Sequence, residues 1–141
     1  MLLGMGLSFM DEQAKALSEY RFEKAQQVLQ SANMLMDMTN DYNSVVNRCY
    51  YAVFHSMRSI LALERKDFEK HSAVISYFRR EYIKTHIIPV EASDILGEAF
   101  NSRNESDYKD FYEVSREQAE EQLYNAKRFV EIVGEYLKVQ V

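Results

Sequence analysis

The chain has 141 residues, 47% of them hydrophobic and 13% aromatic, enough for the core of one folded domain and too apolar for a disordered segment. A formal net charge of −5 disfavours an indiscriminate nucleic-acid binder. One proline and four glycines leave few turn positions, which argues against a sandwich of short strands and for long helices.

The opening stretch MLLGMGLSFM is apolar, carries no basic leader and is too short to span a bilayer. Residues 1–9 read as a short apolar tail, a docking segment or an anchor, ahead of one domain over 10–138. A first helix is expected from about Asp11 to Met38, because Ala25, Val28, Ala32 and Leu35 alternate spacings of three and four. TNDYN then supplies turn and N-cap residues. A second helix follows from about Asn43 to Leu63, with Val46, Tyr50, Val53, Met57 and Ile60 on one stripe. It is the most apolar segment and is expected at the centre. Cys49 lies within it, a small core residue with no disulfide partner, which suits a reducing cytoplasm.

After the charged connection ERKDFEK, a shorter helix near 70–84 offers Val74, Ile75, Phe78 and Tyr82 to the core and Arg79 and Arg80 to water. Pro89 suits the first turn of a fourth helix, whose stripe runs through Ala92, Ile95, Leu96, Ala99 and Phe100 and on to Arg103. NESDYKDFYEV loses the helical period and reads as a polar, aromatic loop. Ser115 and Gln118 make a capping box that starts the last helix, seamed by Ala119, Leu123, Ala126, Val130, Val133 and Leu137. These elements predict an all-α antiparallel bundle of about five helices.

Charge is uneven along the chain. Residues 58–86 hold seven Lys/Arg against four Asp/Glu, whereas residues 91–121 hold three against ten. Two solvated faces account for this, and so does pairing between copies in a dimer.

The polar residues that break the apolar pattern are the candidate site. Arg48 and His55 stand seven positions apart on the second helix and so share a face, with Tyr51 and Ala52 between them and Ser44 and Ser59 extending the strip. Arg103 is a second inward cation. A buried guanidinium needs a carboxylate, a carbonyl or an external anion. Glu105, Asp107, Asp110 and Glu113 are available to pin the loop to Arg48 or Arg103. Alternatively, the seam lines a cleft where an arginine meets phosphate and His55 transfers protons. No His, Cys or carboxylate spacing marks a metal site, and no Walker A loop or dinucleotide fingerprint is present.

In order and spacing, NRCYYAVFHSMRSIL, KHSAVISYFRREYIKT and AFNSRNESDYKDFYEVSREQAEEQLYNAKRFVEIV resemble the HEPN superfamily (higher eukaryotes and prokaryotes nucleotide-binding), over about residues 10–137. The resemblance is to the small prokaryotic stand-alone branch with R-x-YYA-x-F-H, a K-H-S helix start and R-x-x-x-DY. It implies a helical bundle forming a two-fold homodimer, often paired with a nucleotidyltransferase-type protein in a toxin–antitoxin-like arrangement. Catalytic members are metal-independent ribonucleases with a late R-x4-6-H motif, in which the RNA 2′-hydroxyl attacks the adjacent phosphate. Arg103 and Asn104 match the start of that motif, but Asp107 and Tyr108 stand where its histidine is expected.

The resemblance therefore implies a non-catalytic or weakly catalytic cytoplasmic module that binds a nucleotide, an RNA end or a nucleotidyltransferase-type partner, with no cofactor or membrane. Arg48, Arg103, Asn104 and His71 are the candidate phosphate-binding residues. The alternative is a ribonuclease toxin that uses Arg103 with His55 across a dimer cleft. Because some family members are nucleotidylated on a tyrosine after the late motif, Tyr108 and Tyr112 are candidate modification positions.

Overall fold

The structure, a computed structural model, describes the backbone of residues 2–140 and the side chains of residues 11–140. The side chains of the apolar stretch 1–9 lie outside the described residues. Five α-helices follow one another: α1 (Leu2–Met38), α2 (Tyr42–Leu63), α3 (His71–Phe78), α4 (Glu91–Tyr108) and α5 (Arg116–Gln140). A π-helical turn, Arg79–Ile83, continues α3 directly, and no strand occurs among the described residues. Short connections fold the helices into an antiparallel bundle.

α2 is central, packed against α1, α3, α4 and α5. Its apolar residues surround most of the helix, and Val46, Tyr50, Val53, Met57, Ile60 and Leu61 are all at most 1% exposed. On α1 the buried positions Ala25 and Ala32 are small and fully covered, so the long helix can lie close along α2. Phe78 of α3 and Phe129 of α5 close the core from the other side, with ring centroids 6.0 Å apart. Cys49 is buried among them, and burial pushes its thiol pKa up to about 12, leaving it an unreactive core residue.

The turn signals act as expected. Asp41 caps α2, its carboxylate accepting from the Ser44 N–H at 3.2 Å and the Ser44 hydroxyl at 2.6 Å. The Ser115–Gln118 box is closed in both directions, at 2.9 and 3.1 Å.

Three expectations need correction. α4 does not stop where its apolar period stops; it continues to Tyr108, so Arg103, Asn104, Asp107 and Tyr108 share one helix and only Tyr112 of the two tyrosines is in the loop. Apolar period reports burial rather than helicity, and here the last two turns are supported by the i,i+4 pairs Arg103–Asp107 and Glu105–Lys109. Pro89 precedes the fourth helix rather than opening it: the cap is Val90, and the Pro89 carbonyl accepts from the Ala92 N–H. The preceding turn is pinned by buried Ile88, whose N–H donates to the Tyr82 carbonyl. Arg79 does not point to water. It is half-buried, donates to the Ser93 carbonyl at 3.2 Å and lies over Gly97, where a Cβ would come within 2.9 Å of its terminal nitrogen.

Candidate functional site

Where the start of α3 and the C-terminal half of α4 meet one side of α2, cations alternate with aromatic rings. Arg103 projects from α4 over Tyr50, Tyr51 and Tyr108, its guanidinium carbon 5.1, 5.6 and 5.7 Å from the three ring centroids. Its terminal nitrogen donates to the Tyr51 hydroxyl at 3.2 Å. Asp107, one turn on, puts a carboxylate oxygen 3.0 Å from Arg103 Nε, a charge contact that leaves the buried Nε–H without an aligned acceptor. Asn47 of α2 reaches the same Asp107 oxygen at 3.3 Å. Nearby, His71 stacks on Phe54 with centroids 4.0 Å apart, and its Nδ1 lies 2.8 Å from the Tyr50 hydroxyl. His55 borders Tyr51 and Phe54, at 6.1 and 6.2 Å between ring centroids.

The expected residues thus divide. Arg103, His55 and His71 converge around Tyr50 and Tyr51, and Asn104 lies beside Arg103 with its side-chain oxygen 3.5 Å away. Arg48 does not join them: it is exposed on the outer surface of α2. The polar strip runs instead through Asn47, Tyr51, His55 and Arg58, at spacings of four, four and three. At about 100° per residue these four positions fall within about 80° of one another, and Arg48 lies about 20° beyond His55, at the solvent edge of that face. Ser59 leaves the strip as well, being buried and bonded to the Ser56 carbonyl at 2.6 Å. Of the four acids expected as tethers, Asp107 alone contacts Arg103 among the described residues, and Glu105 pairs with Lys109 instead. Tyr108 is 72% exposed, whereas Tyr112 is half-buried against the core and held through its carbonyl by Asn43.

His55 and His71 are both shifted toward the neutral form. Burial, then the charges of Arg58, Lys24, Arg21 and His71, lowers the His55 pKa to about 4. Burial, then Arg103 and Arg58, lowers that of His71. This face therefore offers fixed guanidinium charge, uncharged imidazoles and partly exposed aromatic rings. Among the described residues no group of three or more His, Cys, Asp or Glu side chains comes together as a metal site, and no helix is long and apolar enough to cross a membrane.

In the sequence Tyr50 reads as core and Tyr51 as part of the Arg48–His55 strip, whereas Asn47, Phe54 and Arg58 have no role in the candidate site. The signal for Arg58 was present in the strip 47–51–55–58. That for Arg21 was the three–four seam of α1, which extends back from Ala25 to Arg21, Ser18 and Ala14.

The structure is an all-α bundle of five helices, with an arginine set among tyrosines and histidines where its second, third and fourth helices meet. The chain belongs to the HEPN family: the HEPN domain model matches residues 18–136. It is 32% identical over 133 residues to a protein of Methanocaldococcus jannaschii named "Putative toxin MJ0142", covering 94% of this chain and 90% of that one. It is 29% identical over 129 residues to a UPF0332 protein of Thermotoga maritima, covering 92% and 96%. A second Methanocaldococcus jannaschii protein, named "Putative toxin MJ0605", is 30% identical over 116 residues, covering 82% and 85%.

Proposed function

We propose that this HEPN protein is the toxin-like member of a two-protein pair, and that its groove binds the phosphate of a nucleotide or RNA end with little or no turnover. The state of Arg103 carries this reading. Its side chain is 15% exposed, and of the five N–H donors of a guanidinium two make hydrogen bonds, one of them at the 3.5 Å limit, while Nε faces the Asp107 carboxylate at 3.0 Å without alignment. Donors remain for an anion, and Asp107, at 30% exposure, can return to water when one arrives. The "Putative toxin" names of two relatives support the toxin-like reading; a nucleotidyltransferase-type partner and a homodimeric working form are proposed from the family resemblance alone.

Weak turnover follows from the proton chemistry. Cleavage through a 2′-hydroxyl needs a base for that hydroxyl and an acid for the leaving oxygen. No imidazole follows Arg103 on α4, and His55, its pKa lowered to about 4, is neutral at pH 7, with no proton to supply and only weak basicity. Titration of the purified protein with adenosine monophosphate and a short labelled RNA, with the RNA then sized on a gel in excess chelator, tests the reading. Saturable binding with the RNA intact is expected; absence of binding to both contradicts it.

One observation favours the ribonuclease alternative. Tyr51 touches Arg103 through its hydroxyl and His55 through its ring, so phosphate on Arg103 would bring a 2′-hydroxyl toward the neutral imidazole. If the RNA is cut in chelator, and His55→Ala abolishes the cutting, that alternative replaces the first.

A further inference from the structure

A second cluster of positive charge lies farther along the same face of α2, away from Arg103. Arg21 of α1 and Arg58 of α2 converge on a single oxygen of Asp67, at 3.4 and 2.8 Å. The other Asp67 oxygen is occupied by the Phe68 N–H at 2.9 Å. Arg21 also donates to the Arg58 carbonyl at 3.2 Å, which fixes the two guanidinium groups side by side. One carboxylate therefore faces two arginines. Lys24, one turn after Arg21 and exposed, adds a third cation near His55. A cavity of about 380 Å³ lined in part by Arg21, Lys66 and Asp67 opens beside the cluster.

The two cationic ends are joined by rings. Arg58 sits over Phe54 at 5.9 Å, Phe54 stacks on His71, His71 bonds to Tyr50, and Arg103 sits over Tyr50. Tyr51, which anchors Arg103, precedes Arg58 by seven residues, or about 10 Å along the helix axis. Between them Tyr51 and His55 leave part of their ring surface in solvent. Cations at both ends of a partly exposed aromatic strip are the arrangement that holds a single strand, phosphates on the charges and bases against the rings. One phosphate cannot reach both ends.

We infer that Arg21, Lys24 and Arg58 form a second phosphate subsite, so that the groove's ligand is a single-stranded RNA of at least two phosphates rather than a mononucleotide. This rests on the phosphate reading of Arg103 and extends it to the class of ligand. Asp67 would keep the arginines in place between encounters.

The experiment is a pair of titrations on full-length protein, one with adenosine monophosphate and one with a labelled eight-nucleotide RNA, for wild type, Lys24→Ala and Arg58→Gln. Lys24 is exposed and outside the core, so its variant folds whether or not the Arg58 variant does. The RNA is expected to bind wild type more tightly than the mononucleotide. Lys24→Ala should weaken RNA binding about threefold to tenfold and lower the slope of log affinity against log salt by roughly 0.7, the loss of one single-strand phosphate contact. Mononucleotide affinity should not change. Unchanged RNA affinity and salt slope in both variants, with mononucleotide binding intact, would overturn the second subsite alone. Absence of binding to either ligand by wild type would overturn it together with the reading of Arg103.

Discussion

Arg103→Met is expected to weaken RNA binding about tenfold to a hundredfold while the bundle stays folded. A hydrogen bond to a charged group contributes about 1.5–3 kcal/mol, which corresponds to that range. The structural cost is smaller because methionine keeps an apolar side chain against Tyr50, Tyr51 and Tyr108. What is lost is the guanidinium's attraction to the rings and its pairing with a partly exposed Asp107, about 1 kcal/mol together. Asp107 is left with Asn47 and water. Affinity and melting temperature measured on the same preparation separate the two effects. A large drop in melting temperature with affinity retained would make Arg103 a scaffold residue that pins the end of α4.

Stability is expected to fall between pH 6.5 and pH 5, before carboxylates begin to protonate. The His55 pKa is lowered from an unfolded value of 6.5 to about 4, so within that window the unfolded chain takes up a proton that the folded chain refuses. The stabilisation is fully present above pH 6.5 and is lost as pH falls toward 4. The groups facing His55 are all basic, namely Arg58 on its own helix, Lys24 and Arg21 on α1, and His71 on α3. His71, also lowered, acts in the same direction. Asp67 belongs to a lower window. Burial raises its pKa, but the Arg58 hydrogen bond, the Phe68 N–H and the charges of Arg58 and Arg21 outweigh this and hold it below 3.8. Its contribution is therefore lost only in stronger acid. Denaturant melts at intervals from pH 7.5 to pH 5 should show the fall in wild type and a shallower one in His55→Gln. Equal slopes in both proteins would place His55 in an environment unlike the one described.

Much of the fold was legible because the residues that make it obey one periodicity. The α2 stripe, the Asp41 and Ser115 caps and the α5 seam each follow from local spacing, and the family motifs agree with them. The end of α4 was not legible, since Arg103, Asn104, Asp107 and Tyr108 form helix without an apolar stripe to announce it. The site was half legible. Arg103 and His55 stood out as polar residues in apolar helices, but Arg48 did so for a misleading reason. It stands seven residues before His55 and so shares its side of α2, yet it sits at the outer edge of that face, exposed to solvent. Asp67 was hidden in a charged connection. Only tertiary packing brings it between Arg21 and Arg58, 46 and 9 residues away in sequence.

The central claim, that RNA lies along the Tyr51 face of α2 between Arg103 and Arg58, is tested most directly by photocrosslinking. A short RNA carrying a thiolated uridine would be irradiated on the protein and the modified peptides mapped. Labels on Tyr51, His55 or Tyr108 are predicted, reduced in Arg103→Met and competed by unlabelled RNA. Labels confined to other faces of the bundle, with those peptides unmodified at saturation, would contradict the account.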